Sequence, residues 1–510
     1  MVKTTRKGRR WLAGVASCVL AAGLLAGCGS NGADRERPAS DAEGTKEPLT
    51  VSIGLTQVGD IPAKGNEVER AIEAYTGVKL DIQWIPQSTY DEKISVMIAS
   101  SELPKIVKLN YTPLIISSIQ SDMFWELGPY LQDYPNLAAQ GEQHYKNISV
   151  EGKVYGVPLF RDIGRAAFNY RKDWLEKLGL SVPVTLDDWY ATQKAMVQQD
   201  PDGNGQNDTY GFVLEKQYNL GNSALPTRLA VSIGGVNRWG MVDGKITPEM
   251  MTKEYREVLA MLRRMFEEGL INRDFAVLDS SESSKFFDSG RAGLGNAVAQ
   301  SVKSQHDRLV ANDPNAVVDN AAFAGPDGIR LAGEPGHNGF LAIPRSSVAS
   351  EEELKQLLGF LDKLMDEPLA TLLMRGVEGK HFAYTEDDRT EFLDFSLFQR
   401  EVKPYRDNLP NVEGYHVKTL KDTELGEKGT RMAKENAQYA IPNAALTLSS
   451  ITYSERGAEL DQLLQDAQTK YIMGKIDDAG LDQDIQKWLQ AGGQKIIDEY
   501  QAAYDALNAQ

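Results

Sequence analysis

The sequence predicts an α/β protein of two lobes, each built on a mostly parallel sheet flanked by helices. Two observations carry this expectation. From Leu49 to Leu109 the residues alternate strand and helix patterns in a βαβαβ rhythm, which right-handed crossovers turn into a parallel sheet. Beyond a polar N-terminal stretch the chain runs for about 460 residues, more than one hydrophobic core accommodates.

The elements follow in order. Leu49–Leu55 alternates and is β-branched at Thr50, Val51 and Ile53, which marks a strand. Gly65–Tyr75 sets Val68, Ala71, Ile72 and Tyr75 on one helical face, and Gly77 ends the helix. Val78–Trp84 alternates again as a second strand. Tyr90, Ile94, Met97 and Ile98 form another helical stripe, and Pro104 precedes a third strand at Lys105–Leu109. Open α/β sheets bind ligands at the carboxyl ends of their strands, here Gln57–Asp60 and Asn110–Thr112. Further on, Asp173–Leu178 is an amphipathic helix closed by Gly179, with Trp174 in the core. Thr185 with Asp188 forms a capping box that starts a helix at Leu186–Val197.

The N-terminus carries a separate message. Lys3, Arg6, Lys7, Arg9 and Arg10 precede an apolar stretch of 15 residues, Trp11–Leu25. That stretch is shorter than the roughly 20 residues a permanent membrane span needs, so it reads as an export signal. Leu25-Ala26-Gly27-Cys28 resembles the lipobox of bacterial lipoproteins. The resemblance implies cleavage after residue 27, diacylation of Cys28 with palmitate-type chains, and anchoring to the outer face of the cell membrane by lipid alone. Residues 28–48 are small and charged and read as a flexible tether.

Removing the leader leaves 50 basic against 72 acidic residues, a net charge of −22. That balance speaks against nucleic acid as a partner, which needs a basic footprint. Cys18 leaves with the leader and a lipidated Cys28 has no partner, so neither a disulfide nor a thiolate metal site is expected.

Glu151-Gly-Lys-Val-Tyr-Gly-Val-Pro158, Asn169-Tyr-Arg-Lys-Asp-Trp-Leu-Glu-Lys-Leu-Gly-Leu180 and Pro183-Val-Thr-Leu-Asp-Asp188 stand in an order similar to that of the extracellular solute-binding proteins of sugar-importing ABC transporters. Gly290-Arg-Ala, Gly339-Phe-Leu-Ala-Ile-Pro344 and Trp488 followed by Gly492-Gly493 extend the similarity along nearly the whole mature chain. The resemblance is greatest to the large lipoprotein branch that imports oligosaccharides. It implies a periplasmic-binding-protein-like fold of type II with the ligand cleft at the hinge, a monomer, and delivery of the ligand to ABC permease subunits. It places residues 49–162 and 292–342 in an N-terminal lobe and 163–291 and 343–510 in a C-terminal lobe. Crossings between them are expected near Arg161–Phe168, Arg291–Asn296 and Phe340–Pro344.

In Asp200-Pro-Asp-Gly-Asn-Gly-Gln-Asn-Asp208, oxygen side chains at Asp200, Asp202, Asn204 and Asp208 and the carbonyl of Gln206 have the spacing of a calcium loop. Gly211 stands where the helical calcium hand needs a glutamate. The loop instead resembles that of the alginate-binding branch of the same family, with Thr209 where that branch carries an acid. A structural calcium ion is the expectation.

No histidine pair, nucleophile elbow or phosphate loop appears, so an enzyme is not expected. A peptide-binding ABC receptor and an extracellular carbohydrate-active enzyme remain as alternatives. Sugars are held by flat aromatic faces with planar amides, carboxylates and arginines around them. The candidates at ligand positions are Gln57, Asp60, Tyr111, Arg161, Trp239, Asn296, Phe340, Glu378 and His381, the last two in the loop Gly376–Phe382 of the second lobe.

Overall fold

The computed structural model describes residues 48–57, 59–221 and 223–509; the expected leader, Cys28 and nearly all of the tether lie outside them. The first lobe opens with β1 (Thr50–Gln57), α1 (Glu67–Thr76), β2 (Lys79–Pro86), α2 (Tyr90–Ser100) and β3 (Ile106–Leu109). β1 pairs in parallel with β2 from Thr50 opposite Lys79 to Gln57 opposite Pro86, and with β3 at Ile53 opposite Ile106. The sheet continues through strand His337–Ala342, antiparallel to β3, to β4 (Val157–Phe160).

The helices start and stop for local reasons. Asn66 caps α1 by accepting from the N–H of Glu69 at 2.9 Å, and Gly77 ends it at φ +75°, which only glycine adopts without strain. Val68 and Ile72 face the core as expected. Tyr75 does not: it is 43% exposed, and its hydroxyl donates to Asp366 at 3.0 Å. Its polar tip finds water and a carboxylate where an aliphatic residue would have turned inward. The stripe Tyr90, Ile94, Met97 and Ile98 of α2 is buried.

The second lobe is built on β5 (Ala166–Arg171), flanked by strands Leu294–Val298 and Val318–Ala322, both antiparallel to it. The expected parallel sheet is thus found in the first lobe and not in the second. Trp174 is core, as expected, and Trp189 stacks on Phe323 at 5.8 Å. The capping box of Thr185 and Asp188 starts helix Leu186–Gln198. At the C-terminus, Gly492 at φ 147° bends the chain around Trp488. A Cβ on Gly493 would stand 2.4 Å from that indole.

The lobes divide the chain differently from the expected boundaries. Strands Leu294–Val298 and Val318–Ala322, expected in the first lobe, belong to the second sheet. Helices Glu351–Lys363, Glu367–Arg375 and Phe395–Glu401, expected in the second lobe, share one buried cluster with Val51, Ile53 and Leu341 of the first sheet. The first crossing, where the chain passes from one sheet to the other, is at 161–165, between β4 and β5. The second runs through 333–336, between Ala332, paired with Ile441, and His337. The third lies at 421–424. There the N–H of Lys421 still donates to Thr390 in the first lobe, while helix Glu424–Glu435 brings Gly429 against Ala299 in the second.

Candidate functional site

A cavity of about 320 Å³ is lined by residues of both lobes. From the first lobe come Tyr111, just past β3, with Pro113 and Ile116 on α3 (Pro113–Gln120). Thr112 caps α3, and the Tyr111 hydroxyl donates to the Ser149 carbonyl at 2.6 Å, which fixes the half-buried ring. From the second lobe come Trp239, Tyr453 and Asp461. Trp239 is half-buried, edge-on to Tyr500 with ring centroids 5.0 Å apart. Arg238 beside it takes φ 61° and donates to Glu249 at 2.9 Å. Two predicted aromatics, 128 positions apart in sequence, therefore face one cavity.

A second cavity of about 550 Å³ shares Leu220 and Gly221 with the first and takes in Gln217, Ser280, Asn296 and Gln305. Asn296 lines it with both ends of its amide engaged, accepting from Arg228 at 2.7 Å and donating to the Ser223 carbonyl at 2.7 Å. Arg228, 1% exposed, also reaches Glu334 at 2.9 Å.

Arg161 stands on the first crossing, half-buried, its guanidinium donating to its own Phe160 carbonyl at 2.9 Å. Burial lowers its pKa, Asp407 counters that, and Arg406 and Arg165 add to the lowering. Lys108 on β3 is 5% exposed and donates to Asn408 at 3.2 Å. Burial, helped by Arg161, brings its ammonium pKa down to about 8 against the pull of Asp407. Gln57, half-buried at the end of β1, donates to the Gly59 carbonyl at 3.0 Å, and Asp60 is exposed.

Three expectations are corrected or displaced. Phe340 has no exposure: its strand lies between β3 and β4, and its ring sits in the core beside Leu109 and Val107. His381 also has none; its Nδ1 accepts from the Val377 N–H at 3.0 Å, and Glu401 lies 3.4 Å from Nε2. Glu378 is exposed on the same loop, which belongs to the first lobe through Val377 and the Lys380–Glu67 ion pair and is not part of either cavity. Sequence reasoning missed Lys108, Arg228, Glu334, Asp407 and Asn408. The one signal available was an arginine set in the mostly apolar helix Leu225–Ser232.

In the 200–208 loop, Asp200 accepts from the N–H groups of Gly203, Asn204 and Gly205, and the Asn204 amide donates to Asp202 at 2.9 Å and Asp208 at 3.1 Å. Asn204 Oδ1 accepts from the N–H of Gln206 at 2.7 Å. Burial first, then the neighbouring Asp200, raises the Asp202 pKa, while that of Asp200 is lowered by Asp202 and the backbone N–H groups. Among the described residues no group of three or more His, Cys, Asp or Glu side chains is gathered around a metal position. The donors present, three carboxylates and a carboxamide, are nonetheless the hard oxygens calcium takes, with the Asn204 amide between two of them.

Among relatives, the chain is similar to the lipoprotein LipO of Bacillus subtilis (strain 168), 34% identical over 98% of this chain and 99% of that one. It is also similar to the polygalacturonan/rhamnogalacturonan-binding protein YtcQ of the same organism, 32% identical over 98% and 99%. Among solved structures, a solute-binding protein of Bifidobacterium longum infantis described as HMO-binding and ABC-transporter-associated superposes with a TM-score of 0.72. It is 17% identical, over 90% of this chain and 99% of that one. An S. pneumoniae FusA described as an EF-hand mutant in complex with fructo-nystose superposes at 0.65, with 17% identity over 90% and 99%. The family model of the bacterial extracellular solute-binding protein matches residues 60–362, and with two lobes meeting at a shared cavity the chain belongs to that family.

Proposed function

We propose that this protein is a lipid-anchored receptor that captures an oligosaccharide between its lobes and delivers it to the permease subunits of an ABC-type importer. The observation that carries the reading is the pairing of Tyr111 and Trp239, from opposite lobes, in one cavity of about 320 Å³. Aromatic faces stack on the C–H surfaces of sugar rings, and the flanking Asp461, Asn443 and Arg238 suit their hydroxyls. A ligand touching both lobes favours the closed state, which the permease reads. The protein acts as a monomer and leaves the sugar unchanged. Calcium, held by Asp200, Asp202, Asn204, Asp208 and the Gln206 carbonyl, serves to pin the 200–208 loop and has no part in ligand chemistry.

A thermal-shift screen against oligosaccharides, followed by mass spectrometry of the recovered ligand, tests the reading. Stabilisation of about 2.7 kcal/mol is expected at roughly 100 times the dissociation constant, with the sugar recovered at its original length. Shortened sugar would make the protein an enzyme, and tight peptide binding without sugar binding would make it a peptide receptor. Two relatives bind chemically different ligands by name, one a galacturonan and one a fructooligosaccharide.

A further inference from the structure

Among the described residues that line the cavity of about 320 Å³, two side chains are charged, Arg238 and Asp461. Arg238 is already matched: its Nη1 donates to Glu249 at 2.9 Å and to the Asn219 carbonyl at 3.0 Å. Asp461 is not. Among the described residues no ammonium, guanidinium or imidazole nitrogen lies within 4.0 Å of its carboxylate. The Tyr453 hydroxyl donates to its Oδ2 at 2.9 Å, and Oδ1 has no partner among those residues. One negative charge is therefore left over at the cavity wall.

Aromatic rings stand around that charge. Tyr111 comes from the first lobe, and Trp239, Tyr453 and Tyr500 come from the second. The Tyr500 ring lies edge-on to Trp239 at 5.0 Å and tilted to Tyr453 at 6.3 Å between centroids. It is 6% exposed, yet its hydroxyl has no hydrogen-bond partner among the described residues. Ring faces attract cations through their quadrupoles. A half-buried carboxylate without a counterion costs stability. A ligand cation offsets that cost, a neutral hydroxyl only occupies Oδ1, and an anion meets Asp461 as a like charge.

We infer that the cavity is a subsite for an amino sugar, with Asp461 holding its ammonium group among Tyr111, Trp239, Tyr453 and Tyr500. The inference rests on the oligosaccharide reading and adds the chemical class of the ligand. An ammonium has three donors, enough for the free Asp461 oxygen and the Tyr500 hydroxyl together. Burial raises the Asp461 pKa against the pull of Tyr453 and Arg238. A bound ammonium draws it back down, so the complex keeps the carboxylate ionised more firmly than the free protein does.

The test is calorimetry on the full chain in detergent with three probes of one skeleton: the glucosamine trimer with its amines protonated, cellotriose, and the N-acetylglucosamine trimer. They differ in bearing an ammonium, a hydroxyl or an acetamide at the same carbon. The glucosamine trimer is expected to bind at least about tenfold more tightly than either neutral sugar, a margin that shrinks with added salt. Asp461→Asn keeps an acceptor for Tyr453 and should abolish that margin, while Asp461→Glu should retain a preference for the amine. Asp461→Asn should also melt no lower than the parent without ligand, which separates a lost subsite from a damaged fold. Neutral binding as tight as that of the amine, or an amine that does not bind at all, overturns the subsite and leaves the receptor reading to the wider oligosaccharide screen. An amine preference that survives Asp461→Asn overturns the role of Asp461. Failure of that wider screen, alongside tight peptide binding, overturns the receptor reading itself.

Discussion

Asn408 closes both backbone hydrogen bonds of Thr56, accepting from its N–H at 3.3 Å and donating to its carbonyl at 3.0 Å across 352 positions of sequence. The amide thereby acts as one more rung on the end of β1. The same side chain also holds the Pro404 carbonyl at 2.9 Å and Lys108 at 3.2 Å. Asn408→Leu strands buried donors and acceptors and is expected to cost about 2–4 kcal/mol in urea unfolding. Asn408→Asp should cost less, because it gives Lys108 a carboxylate.

Trp239 packs against Tyr500 while presenting its other side to the cavity. Trp239→Ala should therefore weaken oligosaccharide binding and also lower the stability of the free protein, by about 1–3 kcal/mol. Tyr111→Phe keeps the ring but loses its bond to the Ser149 carbonyl, so affinity should fall less than with Tyr111→Ala. Isothermal titration and melting of both series check this.

Calcium should raise the melting temperature, and a chelator should remove the gain. In Asp200→Ala with Asp202→Ala, melting is expected to be the same with and without chelator. A parent protein indifferent to chelator would eliminate the calcium site.

His337 begins the strand that follows the second crossing, and burial lowers its pKa to about 4. Its Nδ1 accepts from the Gly339 N–H at 3.2 Å, so the folded state holds the neutral ring. The unfolded chain binds a proton near pH 6.5 and the folded chain only near 4, so stability is lost as pH falls through that window. The full effect is on the order of 3 kcal/mol. His337→Gln should flatten the dependence of the urea midpoint on pH between 7 and 4.5 by a comparable amount.

Cys28→Ser should release the protein into the medium or leave it with an uncut leader, since two acyl chains give the stable anchoring that one does not. Recovery of a mature-length mutant in the membrane fraction would contradict the lipid anchor.

What the sequence revealed and what it withheld separate along physical lines. The strands and helices of 49–109 were readable because their periods are local, as was the capping box of Thr185 and Asp188. Tyr111, which lines the smaller cavity, was singled out because it follows a parallel strand. Asn408 was missed because its partners, Thr56 and Lys108, lie hundreds of residues away and no local pattern announces the contact. Helix Glu351–Lys363 shows which of its faces is apolar but not which sheet receives it, and for that reason it was assigned to the wrong lobe. Phe340 and His381 sit in stretches that look like exposed loops or crossings until neighbouring strands and helices close over them.

Three segments of chain, 161–165, 333–336 and 421–424, join the lobes. A body tied at one point can swivel and a body tied at two can still twist, whereas three ties leave little beyond a rocking motion. In the receptor role proposed above, opening would then be close to a single coordinate, and a permease docked across both lobes would need to gauge only one angle to tell a loaded receptor from an empty one.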